Sequence, residues 1–151
     1  MSGLQQDPKE GLQWTERSAS KGDANGLYVQ AVLLNAGDLL PRDVMAAGRL
    51  AKGSAEAGNS AAQAMLAKMH YFGENGQAKS LAEAARWSRL SALAGNAEGQ
   101  TVYAKLLFAG EGVAKDPREA VRWFQKAAAL GDTQAAESLA EPAVRAIARG
   151  L

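Results

Sequence analysis

The sequence predicts an all-α protein, a stack of about three helix-turn-helix repeats with extra helices at its ends. Three observations predict this fold class. Four glycines recur at intervals of 36, 37 and 36 residues, and each is followed by Asp or Asn, in the pairs Gly22-Asp23, Gly58-Asn59, Gly95-Asn96 and Gly131-Asp132. A second glycine column follows fifteen residues after the first, at Gly37, Gly73 and Gly110. Between the columns the chain is rich in Ala, and its apolar residues have helical spacing.

Each pair of Gly with Asp or Asn is typical of a junction between two helices. Glycine adopts the left-handed backbone conformation that ends one helix. The side-chain oxygen of the Asp or Asn that follows can accept a hydrogen bond from the first turn of the next helix. Four such junctions in register predict helices that meet at short, similar turns.

The repeat places each helix in order, and we name the two helices of one unit helix A and helix B. The chain is predicted to begin with helix B of an incomplete unit, to continue with three A–B pairs and to end with a helix A. The predicted ranges are 8–21 (B), 24–36 (A), 42–57 (B), 60–72 (A), 80–94 (B), 97–109 (A), 117–130 (B) and 133–140 (A). A last short helix is predicted from about 143 to 149, because Pro142 suits the first turn of a helix.

Three tryptophans recur at one position of helix B, at Trp14, Trp87 and Trp123. We expect them to occupy matching places along the stack. Large side chains such as Trp87 and Trp123 are expected to fill the gaps between Ala-rich helices. Truncation of either one to Ala is predicted to cost about 3–5 kcal/mol of stability.

The chain is expected to form one domain, since 151 residues suit a single core. Because a lone helical hairpin cannot cover its own apolar face, neighbouring units must cover it. The predicted domain spans 1–151 and divides into helix B of a partial repeat (7–22), repeats at 23–58, 59–95 and 96–131, and C-terminal capping helices at 132–151.

The unit resembles the Sel-1-like repeat, a relative of the tetratricopeptide repeat. The third unit carries the resemblance in its Gly110-Glu111-Gly112-Val113 loop, Asp116, Ala120, Trp123 and the Lys126-Ala127-Ala128 run before Gly131. The second unit keeps Gln63, Gly73, Gly76, Ala84, Trp87 and Gly95, whereas the first unit is degenerate, with Leu50 at the tryptophan position. The resemblance implies an α/α superhelix, a right-handed solenoid of Sel-1-like or tetratricopeptide-like repeats, with helices A along its concave side. The family that the unit resembles includes adaptors, bacterial polarity and envelope regulators, and immunity proteins for secreted toxins. A Cys-rich branch uses disulfides, and this chain has no Cys.

The residue inventory gives little support for catalysis or metal binding. The chain has one His and no Cys, which excludes His–Cys dyads and Cys/His metal sites. The glycine loops GEGVAKDP and GENGQAKS lack the spacing and the preceding strand of a phosphate-binding loop. Candidate carboxylate pairs recur with the repeat, so capping and helix pairing explain them. We therefore expect no enzyme activity, no catalytic residue, no cofactor and no metal.

If the function is binding, it should use residues of the A helices that face away from the B helices. Lys68 and Lys105 align with each other in the repeat and place two cations on neighbouring helices. Aromatic side chains beside them are of the type that dominates interfaces. The predicted partner-binding residues are Asn25, Tyr28, Val32, Lys68, Tyr71, Phe72, Thr101, Lys105 and Phe108, with Ala64 on the same face. The alternative is that the lysines are solvated and the aromatic residues belong to the core.

The main functional prediction is a non-catalytic scaffold or adaptor that binds another protein or a peptide segment in the concave groove, with acidic segments among the candidate partners. The alternative is a bacterial immunity protein that occludes a secreted toxin enzyme, and an enzyme is a remote alternative. A formal charge of +1 gives no reason to expect nucleic acid, and no stretch is apolar enough to suggest membrane insertion. The first residues, as written, do not resemble a signal peptide. Cytoplasm and periplasm both remain open, as does the oligomeric state.

Overall fold

The computed structural model describes residues 8–151, and this part of the chain contains helices and loops without any strand. Asp7, which begins the predicted partial repeat, lies outside the described residues. The helices are α1 (Pro8–Ser20), α2 (Ala24–Ala36), α3 (Val44–Glu56), α4 (Ser60–Phe72), α5 (Leu81–Leu93), α6 (Ala97–Ala109), α7 (Pro117–Ala129), α8 (Thr133–Ala140) and α9 (Pro142–Arg149). The predicted all-α class is confirmed. Within residues 8–151, no helix has the length and apolar content needed to cross a membrane.

The helix boundaries follow from the capping residues that the sequence predicts. The first glycine column has positive φ angles of 73°, 97°, 87° and 95°, at Gly22, Gly58, Gly95 and Gly131. The Asp and Asn residues after these glycines accept hydrogen bonds from backbone N–H groups in the first turns of α2, α4, α6 and α8. The second column ends α2, α4 and α6 in the left-handed conformation. Helices α2, α4, α6 and α8 therefore have the predicted bounds.

The B helices α3 and α5 begin inside their predicted ranges because the residue before each helix is a cap. Asp43 and Ser80 have extended backbone conformations, and their side chains accept hydrogen bonds from Ala46 N–H and Glu83 N–H, respectively. The carbonyl of each cap accepts the first helical hydrogen bond, but its extended backbone places the cap itself outside the helix, so α3 begins at Val44 and α5 at Leu81.

The helices pack in chain order, each one against the next, and α4 also contacts α6. One core cluster joins Ala51 of α3, Leu66 of α4 and Trp87 of α5. A second cluster joins Leu107 of α6 to Phe124 of α7 and also contains residues of α8 and α9. Small side chains dominate both clusters, which allows the helices to approach closely. The result is a solenoid in which each unit covers the next.

The tryptophan position is buried to a different extent in different units. Trp87 is 6% exposed and belongs to the cluster built by α3 and α4, whereas Trp14 is 59% exposed. Trp123 is half-buried, and its ring meets Tyr103 edge-on with centroids 6.0 Å apart. Trp14 therefore shares the repeat position of Trp87 but not its burial. The physical reason is that Trp87 packs onto helices that precede its own, and no helix of the described range precedes α1.

Repeated side-chain hydrogen bonds tie helix B to helix A. Ser54 Oγ donates to the Ala24 carbonyl at 2.5 Å, and Ser91, at the equivalent repeat position, donates to the Ser60 carbonyl at 2.7 Å. In the third unit this serine is replaced by Ala127. There Thr101, on helix A itself, donates to the Ala97 carbonyl at 3.1 Å. Thr101 consequently lies inside the stack, with 1% of its surface exposed.

Candidate partner-binding groove

The A helices enclose a pocket with a volume of about 330 Å³, which we name the groove pocket. Its walls come from α4, α6, the loop after α6 and the first turn of α8. No residue of a B helix lines it. The lining residues are Lys68, Tyr71, Phe72, Val102, Lys105, Leu106, Glu111 and Gln134.

One wall of the groove pocket is apolar. Phe72 is the last residue of α4, directly before the glycine that ends the helix, and 61% of its surface is exposed. Its ring meets Tyr71 edge-on, with centroids 4.9 Å apart. Leu106 lies at the base of the pocket and is 2% exposed, with half-buried Val102 one turn earlier on α6. An exposed aromatic ring beside a buried apolar floor favours contact with an apolar side chain.

The two lysines of the groove pocket make equivalent contacts with the next A helix, but their partners differ in charge. Lys68 forms an ion pair with Glu98. Lys105 Nζ donates instead to Gln134 Oε1 at 3.2 Å. Glu98 and Gln134 occupy the same repeat position, so one interaction is between opposite charges and the other is between a cation and a neutral amide. Within residues 8–151, Lys105 forms no ion pair.

The acidic residue of the groove pocket is associated with a tyrosine. The Glu111 carboxylate lies close enough to the Tyr71 hydroxyl to act as its acceptor, which raises the pKa of that phenol above its usual value. Burial and the negative charge of Glu111 act in the same direction. The raised pKa reflects the closeness of the phenol and the carboxylate on this side of the pocket.

The structure brings four of the nine predicted binding residues together in the groove pocket: Lys68, Tyr71, Phe72 and Lys105. The prediction for Thr101 is wrong, because its side chain is buried and bonded to its own helix. Ala64, on the same predicted face, is also fully buried. Phe108 is half-buried and packs against the core cluster of Leu107.

The three predicted residues of α2 lie outside the groove pocket. Asn25 is exposed, and its Oδ1 accepts a hydrogen bond from Asn59 Nδ2 at 2.8 Å. Tyr28 is half-buried against the cluster of Leu66. Val32 is 38% exposed and occupies the repeat position of the two lysines. These residues extend the A-helix face without lining the pocket.

Sequence reasoning missed part of the lining, at Val102, Leu106, Glu111 and Gln134, and also the Glu98 partner of Lys68. For Glu98 and Gln134 the sequence does contain a signal. Asn25, Glu98 and Gln134 share one repeat position, so Asn25, already predicted on the binding face, points to the other two. Glu111 belongs to the loop and gave no helical spacing from which its direction could be inferred.

Outside the groove pocket, the surroundings of His70 and a second cavity are the features that bear on chemistry. The His70 Nδ1 lies 2.9 Å from the Ala78 carbonyl oxygen, so the imidazole is held against the loop that follows its own helix. Among the described residues, no group of three or more His, Cys, Asp or Glu side chains could hold a metal ion. A second, more open cavity of about 440 Å³ lies between the N-terminus of α7 and α9 and is lined by Lys115, Asp116, Arg118 and Ile147, among others.

The chain is similar to solved structures of helical repeat proteins. A Sel1 repeat protein from Oxalobacter formigenes has 31% sequence identity, and the match covers 85% of this chain and 96% of that one, with a TM-score of 0.75. The protein c5321, a protective antigen of uropathogenic Escherichia coli strains with an SLR fold, has 30% identity and a TM-score of 0.77. That match covers 88% of this chain but 28% of the antigen, so this chain spans less than a third of that protein.

A third structure, Helicobacter pylori cysteine rich protein B, supports the fold alone. It shares 20% identity over 88% of this chain and 95% of its own length, with a TM-score of 0.66.

The family comparison agrees with the repeat found in the sequence. The model of the Sel1 repeat matches residues 2–23, 60–96 and 97–132, which together make up more than half of the chain. The degenerate first unit lies in the unmatched part. Sel1 repeat proteins generally mediate protein–protein interactions, and their scaffold is generally non-catalytic. On this evidence the chain belongs to the Sel1 repeat family.

Proposed function

We propose that this chain is a non-catalytic interaction scaffold that binds a segment of another protein along the face formed by its A helices. The observation that carries the proposal is the groove pocket. It is assembled from α4, α6 and α8 and combines an exposed aromatic ring with charged side chains. Clefts of about 300 Å³ or more, with mostly apolar walls and a few polar groups, are typical of binding sites.

The groove pocket favours a protein segment because it continues into a longer face. Val32, Lys68 and Lys105 occupy one repeat position on α2, α4 and α6, so the surface changes from apolar to cationic along the stack. Lys68 and Lys105 are both exposed at the rim. A partner segment that crosses several A helices would contact the apolar position first and the two lysines next. One of its side chains would enter the pocket.

Replacement of Phe72 by Asp tests the proposal. The variant removes the exposed ring and places a charge on the apolar wall, so we expect loss of the bound partner in affinity purification from bacterial lysate followed by mass spectrometry. Leu93→Asp is a matched control. Leu93 is the last residue of α5, as Phe72 is of α4, and its exposed fraction is 59% against 61% for Phe72.

The control distinguishes a binding surface on the A helices from one on the B helices. We expect Leu93→Asp to retain the partners that the unchanged protein captures, and both variants to keep their helical circular dichroism. Retention by Phe72→Asp together with loss by Leu93→Asp would place the binding surface on the B helices and contradict the proposal.

A further inference from the structure

The repeat leaves one cation of the groove pocket without a matching anion. Lys68 and Lys105 are equivalent in the repeat, and each reaches the first turn of the following A helix. Glu98 neutralises Lys68, whereas Gln134 offers Lys105 only an amide oxygen. The acidic residue of the pocket lining, Glu111, lies beside the Tyr71 hydroxyl. Among the described residues that form the pocket, Lys105 is thus the cation without an ionic partner.

The unpaired charge lies next to an apolar surface. Lys105 is on α6 between Val102 and Leu106, and Phe72 faces the same pocket from the end of α4. The amide of Gln134 is exposed and accepts from Lys105 through its oxygen, which leaves its N–H groups for an incoming acceptor. The pocket therefore presents an ammonium, an amide donor and an aromatic wall together.

We propose that the groove pocket binds a partner residue with a carboxylate, Asp or Glu, next to a large apolar side chain. The carboxylate pairs with Lys105 and the amide N–H of Gln134, and the apolar side chain packs against Phe72 and Val102. This inference rests on the proposed function and specifies the chemistry of the partner segment. A single cation with a neutral amide suits a carboxylate, whereas phosphorylated segments are bound by clusters of Arg.

The repeat itself supplies the variants that test this proposal. Gln134→Glu rebuilds at Lys105 the ion pair that Lys68 already has, and Glu98→Gln removes that pair at Lys68. Neither substitution changes the apolar wall. A random seven-residue peptide library displayed on phage is selected on the unchanged protein. We expect enrichment of sequences with Asp or Glu next to Leu, Phe or Trp.

An enriched peptide is then synthesised, and its affinity is measured by isothermal titration calorimetry. We expect roughly tenfold weaker binding to Gln134→Glu, because its new carboxylate competes for Lys105 and repels the peptide. Glu98→Gln should bind equally well or more tightly. Lys52→Glu, an exposed charge change on helix α3, is the control and should bind as the unchanged protein does.

The outcomes separate this inference from the proposed function. Peptides that lose affinity on Phe72→Asp but carry no carboxylate overturn the inference and leave groove binding intact. Enrichment of Lys or Arg, no enriched sequence at all, or equal binding to Gln134→Glu also overturns the inference. Peptides that bind Phe72→Asp and Gln134→Glu as well as the unchanged protein overturn the inference and contradict groove binding together.

Discussion

At the scale of single residues, burial separates tryptophans that share one repeat position. Trp87 is 6% exposed and its cluster spans four helices, so we expect Trp87→Ala to lower the free energy of unfolding by about 3–5 kcal/mol. Truncation of half-buried Trp123 should lower the free energy of unfolding by less, because its ring already borders solvent. Trp14→Ala should cost less than about 0.5 kcal/mol. Urea denaturation of the three variants measures this order, and equal losses for Trp14→Ala and Trp87→Ala would contradict it.

The binding residues could be predicted from sequence only as far as helical direction allows. Lys68, Tyr71, Phe72 and Lys105 line the groove pocket, because residues three or four apart share a helix face. One residue step turns a helix by about 100°. If the predicted line of contact with helix B is wrong by one residue, a side chain expected at the surface lies inside the stack. Thr101 shows this error. Its hydroxyl bonds to the Ala97 carbonyl, in the unit where Ala127 replaces the serine that other units use.

At the scale of elements, the loops between helices A and B depend on glycine for two separate reasons. Gly112 has a φ of 70°, and a Cβ built there would lie 2.0 Å from the Leu81 carbonyl oxygen. Gly95 has a φ of 87°, but a Cβ there meets nothing within 4 Å. We expect Gly95→Ala to cost about 1 kcal/mol from backbone strain alone. Gly112→Ala should cost about 2–4 kcal/mol, because the clash with backbone adds to that strain.

Equilibrium denaturation of these two variants measures the difference directly. A larger loss for Gly112→Ala indicates that the loop packs against the beginning of α5. Equal losses would show that the loop moves away without cost, and the close approach would then have no role in stability.

The helices were predictable because the signals that begin and end them are local. A glycine at positive φ followed by a capping Asp or Asn fixes a boundary within two residues, as at Gly58 and Asn59. The contacts between units were harder to predict from the sequence, since they join residues far apart in the chain, such as Lys105 and Gln134, which are 29 residues apart. The division into the units 23–58, 59–95 and 96–131 stays a prediction.

At the scale of the whole molecule, a solenoid distributes its stability along the stack, because each unit contacts its neighbours alone. Val144 of α9 is 2% exposed and joins the cluster of Leu107 and Phe124. We expect Val144→Asp to cost about 3 kcal/mol or more, since it buries an unpaired charge. Hydrogen exchange should show faster opening of α7 and α8, with α3 and α4 still protected.

Ala146→Asp is the matched control for this variant, because Ala146 is exposed on the same short helix. It should leave the exchange rates of α7 and α8 unchanged. A uniform loss of protection from α3 to α9 in Val144→Asp would instead indicate one cooperative unit, which contradicts local stabilisation by neighbouring repeats.

Binding along the A-helix face is the central claim, and a footprint of the bound segment tests it most directly. Hydrogen–deuterium exchange is measured on the chain with and without a peptide selected from the library on the unchanged protein. We predict new protection at the end of α4, along α6 and in the first turn of α8, with α5 and α7 unchanged on their outer sides. Protection centred on the exposed residues Leu93 and Leu130 of the B-helix ends, with α4 and α6 unaffected, would contradict the claim.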